Sequence, residues 1–226
     1  MKVGTFMAPF LAFTALSFKS SDTNWLDARI LSLGLLIAYI VHQFEEHWID
    51  IYGQTYAFKP YLNGFLSNLL GQPSGTELIS DASIFVINTS LVWLVGALAI
   101  WRGGSKHIFA TLCMAAIVVV NAVSHVGVVV ARMSYNPGLL TAVLVFLPLG
   151  VFAYGALLRR GAASPRLVVA SLAWGVLAHI IMIGGLVLMS WMPNANEVIY
   201  FAVLIGWSIL PAVTLSTDQQ SSLSPT

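Results

Sequence analysis

The six residues HQFEEH, at positions 42–47, place two histidines and two glutamates side by side in the chain. Residues three and four apart share one face of a helix, so His42, Glu45 and Glu46 would form one cluster there. His47 would point about 140° away from His42 around the same helix. Imidazole and carboxylate groups bind zinc and non-haem iron, and they also transfer protons. The spacing therefore predicts a site for metal-dependent or acid–base chemistry.

The rest of the chain is strongly apolar. Of its 226 residues, 58% are apolar and only 8% are charged, and the mean hydropathy is +0.85. A soluble domain carries about 25% charged residues, so the composition predicts an integral membrane protein. The net charge of +1 gives no sign of a nucleic-acid partner. The expected partners are membrane lipid and a lipophilic small-molecule substrate, and the oligomeric state is left open.

Six apolar stretches approach the length of about 20 residues that a helix needs to cross a bilayer. We predict an all-α bundle of about six transmembrane spans within residues 29–215, at 29–50, 82–101, 108–131, 138–158, 167–191 and 198–215. The N-terminal segment 1–28 contains a short hydrophobic stretch interrupted by Pro9. We favour an uncleaved interfacial or partly inserted segment there over a signal peptide. The polar tail 216–226 is expected to be disordered.

The basic residues predict the orientation of the bundle. Lys and Arg are concentrated before the first span, between the second and third, and between the fourth and fifth, and they mark the cytoplasmic side. Both termini are therefore predicted to be cytoplasmic, and the loop 51–81 is predicted to be external, as a lid or a solvated connection. At a rise of about 1.5 Å per residue, His42, Glu46 and His125 lie roughly 20–25 Å above the inner ends of their helices, and His179 lies at roughly 18 Å.

Acidic groups at this depth must face the interior of the bundle. A charge at the bilayer centre costs about 2.5–3.5 kcal/mol, so a proton, a cation or a histidine must neutralise each carboxylate. A purely structural ion-pair network is the alternative, but buried ion pairs stabilise a protein less than apolar packing does. The candidate catalytic residues are Glu45, Glu46 and His125, and the candidate metal ligands are His42, Glu45, Glu46, His125 and His179.

Polar residues near the predicted outer mouth are candidate substrate contacts: Asp81, Asn88, Arg132, Tyr135 and Asn136. Asp81 fits a helix N-terminus equally well. The sequence YNPG at 135–138 fits a rigid turn into the fourth span, in which Asn136 caps the helix and Gly138 allows a tight turn. The turn by itself explains Asn136, whereas the Tyr135 hydroxyl is free to serve the site.

The order of these motifs resembles that of the HXXEE-domain family of small multi-span membrane proteins. HQFEE at 42–46, a later histidine at 125 and YNPG at 135–138 carry the resemblance, which extends over roughly residues 28–150. His47 and His179 fall outside the family's pattern. The resemblance implies an important site at the matching residues, which are His42, Glu45, Glu46, His125, Tyr135, Asn136, Pro137 and Gly138. The family name records a motif, so it supplies no substrate.

Three functions remain in competition. We prefer an intramembrane enzyme that uses zinc or non-haem iron, with the second glutamate as general base, to hydrolyse, hydroxylate or rearrange a lipophilic molecule. The second is a metal-free isomerase or cyclase of a terpenoid or sterol-like substrate, in which a glutamate delivers a proton and Trp93, Trp174 and Trp207 stabilise a carbocation. The third, a proton- or metal-coupled transporter, lacks a polar path through the inner half and a visible inverted repeat.

Overall fold

The computed structural model describes residues 27–103, 107–192 and 197–214. The predicted N-terminal segment 1–28, except for its last two residues, and the tail 216–226 lie outside the described residues. The helices in these ranges are α1 (Ala28–His47), α2 (Phe58–Leu70), α3 (Asp81–Arg102), α4 (Ile108–Arg132), α5 (Leu139–Arg159), α6 (Pro165–Trp191) and α7 (Glu197–Thr214). One isolated antiparallel bridge joins Ile49 to Thr55. The prediction of an all-α bundle is confirmed.

Five of these helices, α1, α3, α4, α5 and α6, are long and apolar enough to cross a membrane. The sixth predicted span is present as the shorter apolar helix α7. These helices fit a multi-pass integral membrane protein, and their bounds agree with the predicted spans to within a few residues. The side of the membrane that each terminus faces stays a prediction.

Side-chain caps fix where several helices begin. Asp27 accepts a hydrogen bond from the backbone N–H of Arg29 at 2.8 Å and so caps α1. Ser80 does the same for α3, so Asp81 is the first residue of that helix and not its cap. Ser164 caps α6, and the proline that follows it has the backbone angle that a first helical residue needs.

Helix α4 is the centre of the bundle. It packs against α1, α3, α5, α6 and α7, and every residue from Ile108 to Val118 is buried. A Cβ atom on Gly150 would lie 2.4 Å from Val119, and one on Gly175 would lie 2.9 Å from Ala116. Helices α5 and α6 therefore approach α4 more closely than a larger residue would permit, as small residues allow between membrane helices. This packing holds the first half of α4 against its neighbours.

The stretch 51–81 differs from the predicted loop because it contains α2. The helix ends at Gly71, whose φ of +65° is the left-handed conformation of a helix C-cap. Lys59 forms ion pairs of 2.9 Å with Glu77 and with Asp81 at the start of α3. These hydrogen bonds raise the pKa of Lys59. The pairs connect α2 to the start of α3 and to the residues just before it.

Two of the spanning helices contain π-helical segments. These are Asn88–Leu94 in α3 and Ala142–Phe146 in α5. The second ends two residues before Pro148, which has no N–H to donate to a preceding carbonyl. Segments of this kind occur frequently at functional sites. Both lie beside the HQFEEH motif, through Asn88 and Phe146.

Candidate functional site

His42, Glu46 and His125 come together in the bundle interior. The Oε1 atom of Glu46 lies 3.3 Å from Nε2 of His42 and 3.3 Å from Nε2 of His125. His42 is completely buried, and Glu46 and His125 are 5% and 7% exposed. Their candidate ligand atoms all lie within 4.8 Å of one another. The sequence placed His42, Glu46 and His125 at one depth of the bundle. In the structure they are in direct contact across α1 and α4.

The bonds around Asn136 determine which nitrogen of His125 carries hydrogen. The Asn136 amide nitrogen donates to the backbone carbonyl of His125 at 3.0 Å, which turns its Oδ1 toward the ring Nδ1 of the same histidine. A carbonyl oxygen only accepts, so Nδ1 must carry a hydrogen. In the neutral ring, Nε2 then has a free lone pair directed at Glu46. Asn136 is thus a partner of the site as well as a turn residue.

Thr141 determines the protonation of His42 in the same way. Its hydroxyl oxygen lies 2.6 Å from Oε2 of Glu45 and 2.8 Å from Nδ1 of His42. A carboxylate accepts only, and it is a stronger acceptor than the Gly138 carbonyl at 3.2 Å, so the hydroxyl donates to Glu45. The same oxygen then accepts from Nδ1–H of His42. The Nε2 lone pair of neutral His42 therefore also faces Glu46.

Glu45 is saturated with hydrogen bonds and lies outside this three-residue group. It accepts from the Tyr135 hydroxyl at 2.9 Å, from the backbone N–H groups of Leu140 and Thr141 at 3.1 and 2.8 Å, and from the Thr141 hydroxyl. Burial, together with the bond to Glu45, raises the pKa of Tyr135, so this phenol stays a donor. Glu45 therefore fastens the first turn of α5 to α1.

Gly138 lies against the site itself. It has φ of +95°, and a Cβ atom there would lie 2.7 Å from Cε1 of His42, 2.7 Å from Cε1 of His125 and 2.9 Å from Cγ of Glu46. No side chain fits in that space. The last residue of YNPG therefore lets the backbone close over both imidazole rings, which the prediction of a tight turn did not include.

Aromatic side chains pack against His42. The ring of Phe146, which is completely buried, lies 4.3 Å from the His42 ring, and the Tyr39 ring meets His42 edge-on at 5.7 Å. The His42 and His125 rings are themselves perpendicular, 4.9 Å apart. These contacts leave each imidazole little freedom to rotate, so the direction of each Nε2 atom is fixed by packing.

His47 approaches the group from the side of α2. Its Nε2 atom lies 3.7 Å from Oε2 of Glu46 and 3.4 Å from the amide nitrogen of Asn88. The His47 side chain is 18% exposed and lies edge-on to Phe58 of α2. Glu46 therefore contacts three histidines through its two oxygens. His47 was expected to point away from His42, and it reaches the cluster through the neighbouring glutamate.

The remaining predicted site residues lie apart from the group. Asp81 is exposed and pairs with Lys59, and the guanidinium of Arg132 lies 5.1 Å from the ring centre of Phe65. His179 uses its Nδ1 to donate to the backbone carbonyl of Gly175 at 2.9 Å. Substrate contacts by the first two and metal binding by His179 stay predictions.

Sequence reasoning missed Thr141 altogether. Its partners His42 and Glu45 lie 99 and 96 residues earlier in the chain, so no local pattern connects them. The one available signal was its position three residues after the YNPG turn, at the start of the fourth span. A hydroxyl in the first turn of an apolar helix is more often a cap, which conceals such a role.

Comparison with known proteins adds the family. A family model described as "Protein of unknown function with HXXEE motif" matches residues 33–153. No curated protein and no solved structure matches the chain. The matched stretch contains His42, Glu46 and His125, together with the turn that closes over them. Because the match covers more than half of the 226 residues, the chain belongs to the HXXEE family.

Proposed function

We propose that the chain is an intramembrane enzyme that binds a divalent metal ion through His42, Glu46 and His125 and acts on a lipophilic small molecule. One observation carries the metal: two imidazole lone pairs and a carboxylate oxygen converge in a buried place. Three electron-rich atoms repel one another unless a positive charge lies between them. A metal ion supplies that charge with ligands of the preferred kind.

The distances fit a metal. Ligands at 2.0–2.1 Å from a tetrahedral ion are roughly 3.3 Å from one another, and both His–Glu distances are 3.3 Å. Within the described part of the chain, the buried Nε2 of His42 forms no hydrogen bond. Each ring also has a fixed acceptor on Nδ1, which is the usual arrangement behind a metal-binding histidine.

The donor set favours zinc or non-haem iron. Two histidines and one carboxylate leave coordination positions open for water or substrate in both kinds of site. The bound ion would polarise a substrate oxygen or activate a water molecule. His42, Glu46 and His125 would hold it, while Glu45 orients Thr141 and thereby His42. Because all four of its hydrogen bonds are already made, we assign Glu45 a positioning role and not that of general base.

The surroundings favour a lipophilic substrate. The group lies within a bundle of helices that fit the membrane, and completely buried apolar residues such as Phe146 and Ala142 line the same region. A molecule dissolved in the bilayer reaches such a site without crossing water. Hydrolysis, hydroxylation and rearrangement are the reactions that we propose to test.

A metal-free isomerase or cyclase is the second candidate. A proton on Nε2 of one histidine would turn one of the two 3.3 Å contacts with Glu46 into a hydrogen bond, without a metal. Trp174 and Trp207, whose aromatic faces that mechanism would use, are stacked on each other at 6.1 Å. Metal content separates this candidate from the first, because only the first requires an ion.

Transport is less well supported. Ser32 and Thr111 form a buried hydrogen bond of 3.0 Å near the inner ends of α1 and α4. Between this pair and the site, the described part of α1 buries Leu35 and Leu36 almost completely, and α4 buries Ile117. This apolar layer interrupts the polar path that a carrier for protons or ions would need.

The first test measures the metal. Protein purified in detergent without chelators, then incubated with zinc or ferrous iron and desalted, is analysed by elemental mass spectrometry. We expect about one equivalent in the wild type, and loss of most of it in Glu46→Gln and His125→Ala. His107→Ala is the control, because His107 precedes α4 at the far end of that helix. A wild type that retains no metal after reconstitution would contradict the proposal.

The second test examines the reaction. Membrane lipid extracts are incubated with the metal-loaded wild type or with Glu46→Gln, and their lipids are compared by mass spectrometry. With dioxygen and a two-electron reductant such as ascorbate supplied, a gain of one oxygen atom indicates hydroxylation. Two smaller products whose masses add up to the lipid plus one water indicate hydrolysis, and an unchanged mass with altered retention indicates rearrangement. If the lipids are the same after incubation with the wild type and with Glu46→Gln, for extracts from several sources, the result would count against enzymatic activity. It would not count against the metal site.

A further inference from the structure

A second polar pair lies one helical turn inward from His42 and His125. Tyr39 precedes His42 by three residues on α1, and Asn121 precedes His125 by four residues on α4. The Asn121 amide nitrogen donates to the Tyr39 hydroxyl oxygen at 3.0 Å. This pair therefore joins the same two helices as the metal group, roughly 5 Å deeper, which is the rise of one turn.

The hydrogen-bonding capacity of the pair is only partly used. The Oδ1 atom of Asn121 is buried, and it has no hydrogen-bond partner among the residues that the structure describes. The Tyr39 hydroxyl accepts from Asn121, so its own hydrogen is still available for donation. Leaving a buried polar atom unpaired is costly in a protein and more so in a membrane. The pair thus offers one acceptor and one donor to a third group.

A hydroxyl group complements this pair because it donates one hydrogen bond and accepts another. An ether oxygen can only accept, and a hydrocarbon does neither. Exchange of the oxygen and nitrogen of the Asn121 amide would leave a free donor, and a hydroxyl satisfies that arrangement equally well. Of these three chemical groups, only an alcohol satisfies both arrangements. A water molecule does so as well, and equal labelling by the two probes described below would assign the place to water.

The pair is surrounded by aromatic and other apolar side chains. The Tyr39 ring is 6% exposed and lies 4.9 Å from the ring of Phe146, which also covers His42. Ala122, which follows Asn121, and Ala142, one helical turn before Phe146, are completely buried. A molecule whose polar end bonds Tyr39 and Asn121 would place its hydrocarbon part along Phe146 and within reach of the metal group.

We propose that Tyr39 and Asn121 bind the hydroxyl group of a hydrophobic alcohol, and that the metal group acts on an atom roughly 5 Å from that hydroxyl. The substrate class is thereby narrowed from lipophilic molecules in general to long-chain, terpenoid or sterol-like alcohols. The second half of this inference rests on the proposed metalloenzyme function, whereas the binding of the alcohol does not.

The experiment compares two photoactivatable probes with detergent-solubilised, full-length protein. One is 1-dodecanol with a diazirine on its chain, and the other is the corresponding methyl ether, which cannot donate. Cross-linked peptides are mapped and quantified by mass spectrometry. In the wild type we expect the alcohol to label the α1 and α4 segments around Tyr39 and Asn121 about tenfold more than the ether. This factor corresponds to a difference in binding free energy of about 1.4 kcal/mol.

Three variants determine where this preference arises. Asn121→Leu removes the acceptor, and Tyr39→Phe removes the donor. Each is expected to reduce labelling by the alcohol to the level of labelling by the ether. Ser124→Ala is the matched control, because Ser124 lies on the next turn of α4 and its hydroxyl bonds the backbone carbonyl of Asn121. Tyr39→Phe changes the shape of the core least, so it remains informative if Asn121→Leu does not fold.

Metal content measured in the same samples separates the two proposals. Equal labelling by both probes, or an alcohol preference that survives in Asn121→Leu and Tyr39→Phe, would overturn the inference even if the wild type binds metal. Selective labelling of a wild type that retains no metal would support the alcohol site and contradict the metalloenzyme. Selective labelling that persists in metal-free His42→Ala would show that the polar pair binds independently.

Discussion

The contact of Gly138 with the two imidazole rings gives the sharpest mutational prediction. Gly138→Ala adds one methyl group at a point 2.7 Å from Cε1 of both His42 and His125 and 2.9 Å from Cγ of Glu46. Real Cβ atoms do not approach other heavy atoms this closely, so the rings must move apart. The φ of +95° adds backbone strain for any residue with a side chain.

The size of the effect follows from these two contributions. Left-handed backbone conformation costs an alanine about 1–2 kcal/mol, and overpacking a rigid core costs about 1–3 kcal/mol. We therefore expect Gly138→Ala to destabilise the protein by roughly 2–5 kcal/mol. Gly75→Ala is the matched control, because Gly75 has φ of +87° and nothing within 4 Å of its Cβ position. It should show the backbone contribution alone.

Two measurements test this prediction. Thermal unfolding in detergent gives the stability of both variants, and competition with a chelator gives their zinc affinities. Gly138→Ala should lose at least about tenfold in zinc affinity, since displaced ligands no longer meet one ion. Gly75→Ala should bind zinc as the wild type does. If Gly138→Ala matched Gly75→Ala in both stability and zinc affinity, the close packing of the turn on the histidines would be wrong.

Further predictions concern the residues that support the site and one that does not. Thr141→Val removes the hydroxyl that bonds His42 and should weaken zinc binding about 10–100-fold in a chelator competition, whereas Thr141→Ser should retain it. Tyr135→Phe removes one of the donors to Glu45 and should lower the free energy of unfolding by about 1.5–3 kcal/mol, measured in denaturant, with metal content unchanged. Lys59→Met breaks exposed ion pairs and should change neither the melting temperature nor the metal content measurably.

Much of the site could be predicted because its first part is local. His42, Glu45 and Glu46 are separated by three and four residues, and helix geometry alone places them on neighbouring parts of one face. His125 could be added for two reasons. A polar residue in the membrane is costly and so indicates a site, and the position of His125 along its span gives it the same depth as His42 and Glu46. The structure brings His42, Glu46 and His125 into contact, whereas Glu45 is bound by the first turn of α5.

The rest depends on tertiary packing, which a single sequence does not display. Thr141 and Gly138 contact the site only because α5 folds back against α1, and both looked like ordinary turn and helix-start residues. Helix α2, by contrast, could have been predicted from its sequence. Leu62, Phe65 and Leu66 repeat with helical spacing and face the bundle, and the C-capping Gly71 follows the helix.

X-ray absorption spectroscopy of the zinc-loaded protein tests the central claim most directly. Scattering from the outer atoms of imidazole rings counts the histidines bound to zinc, and first-neighbour distances separate nitrogen and oxygen from sulfur ligands. We predict two imidazoles and a remaining shell of oxygen in the wild type. A third imidazole would bring His47 or His179 into the site. No imidazole, or sulfur from Cys113, would contradict a metal centre built from His42, Glu46 and His125.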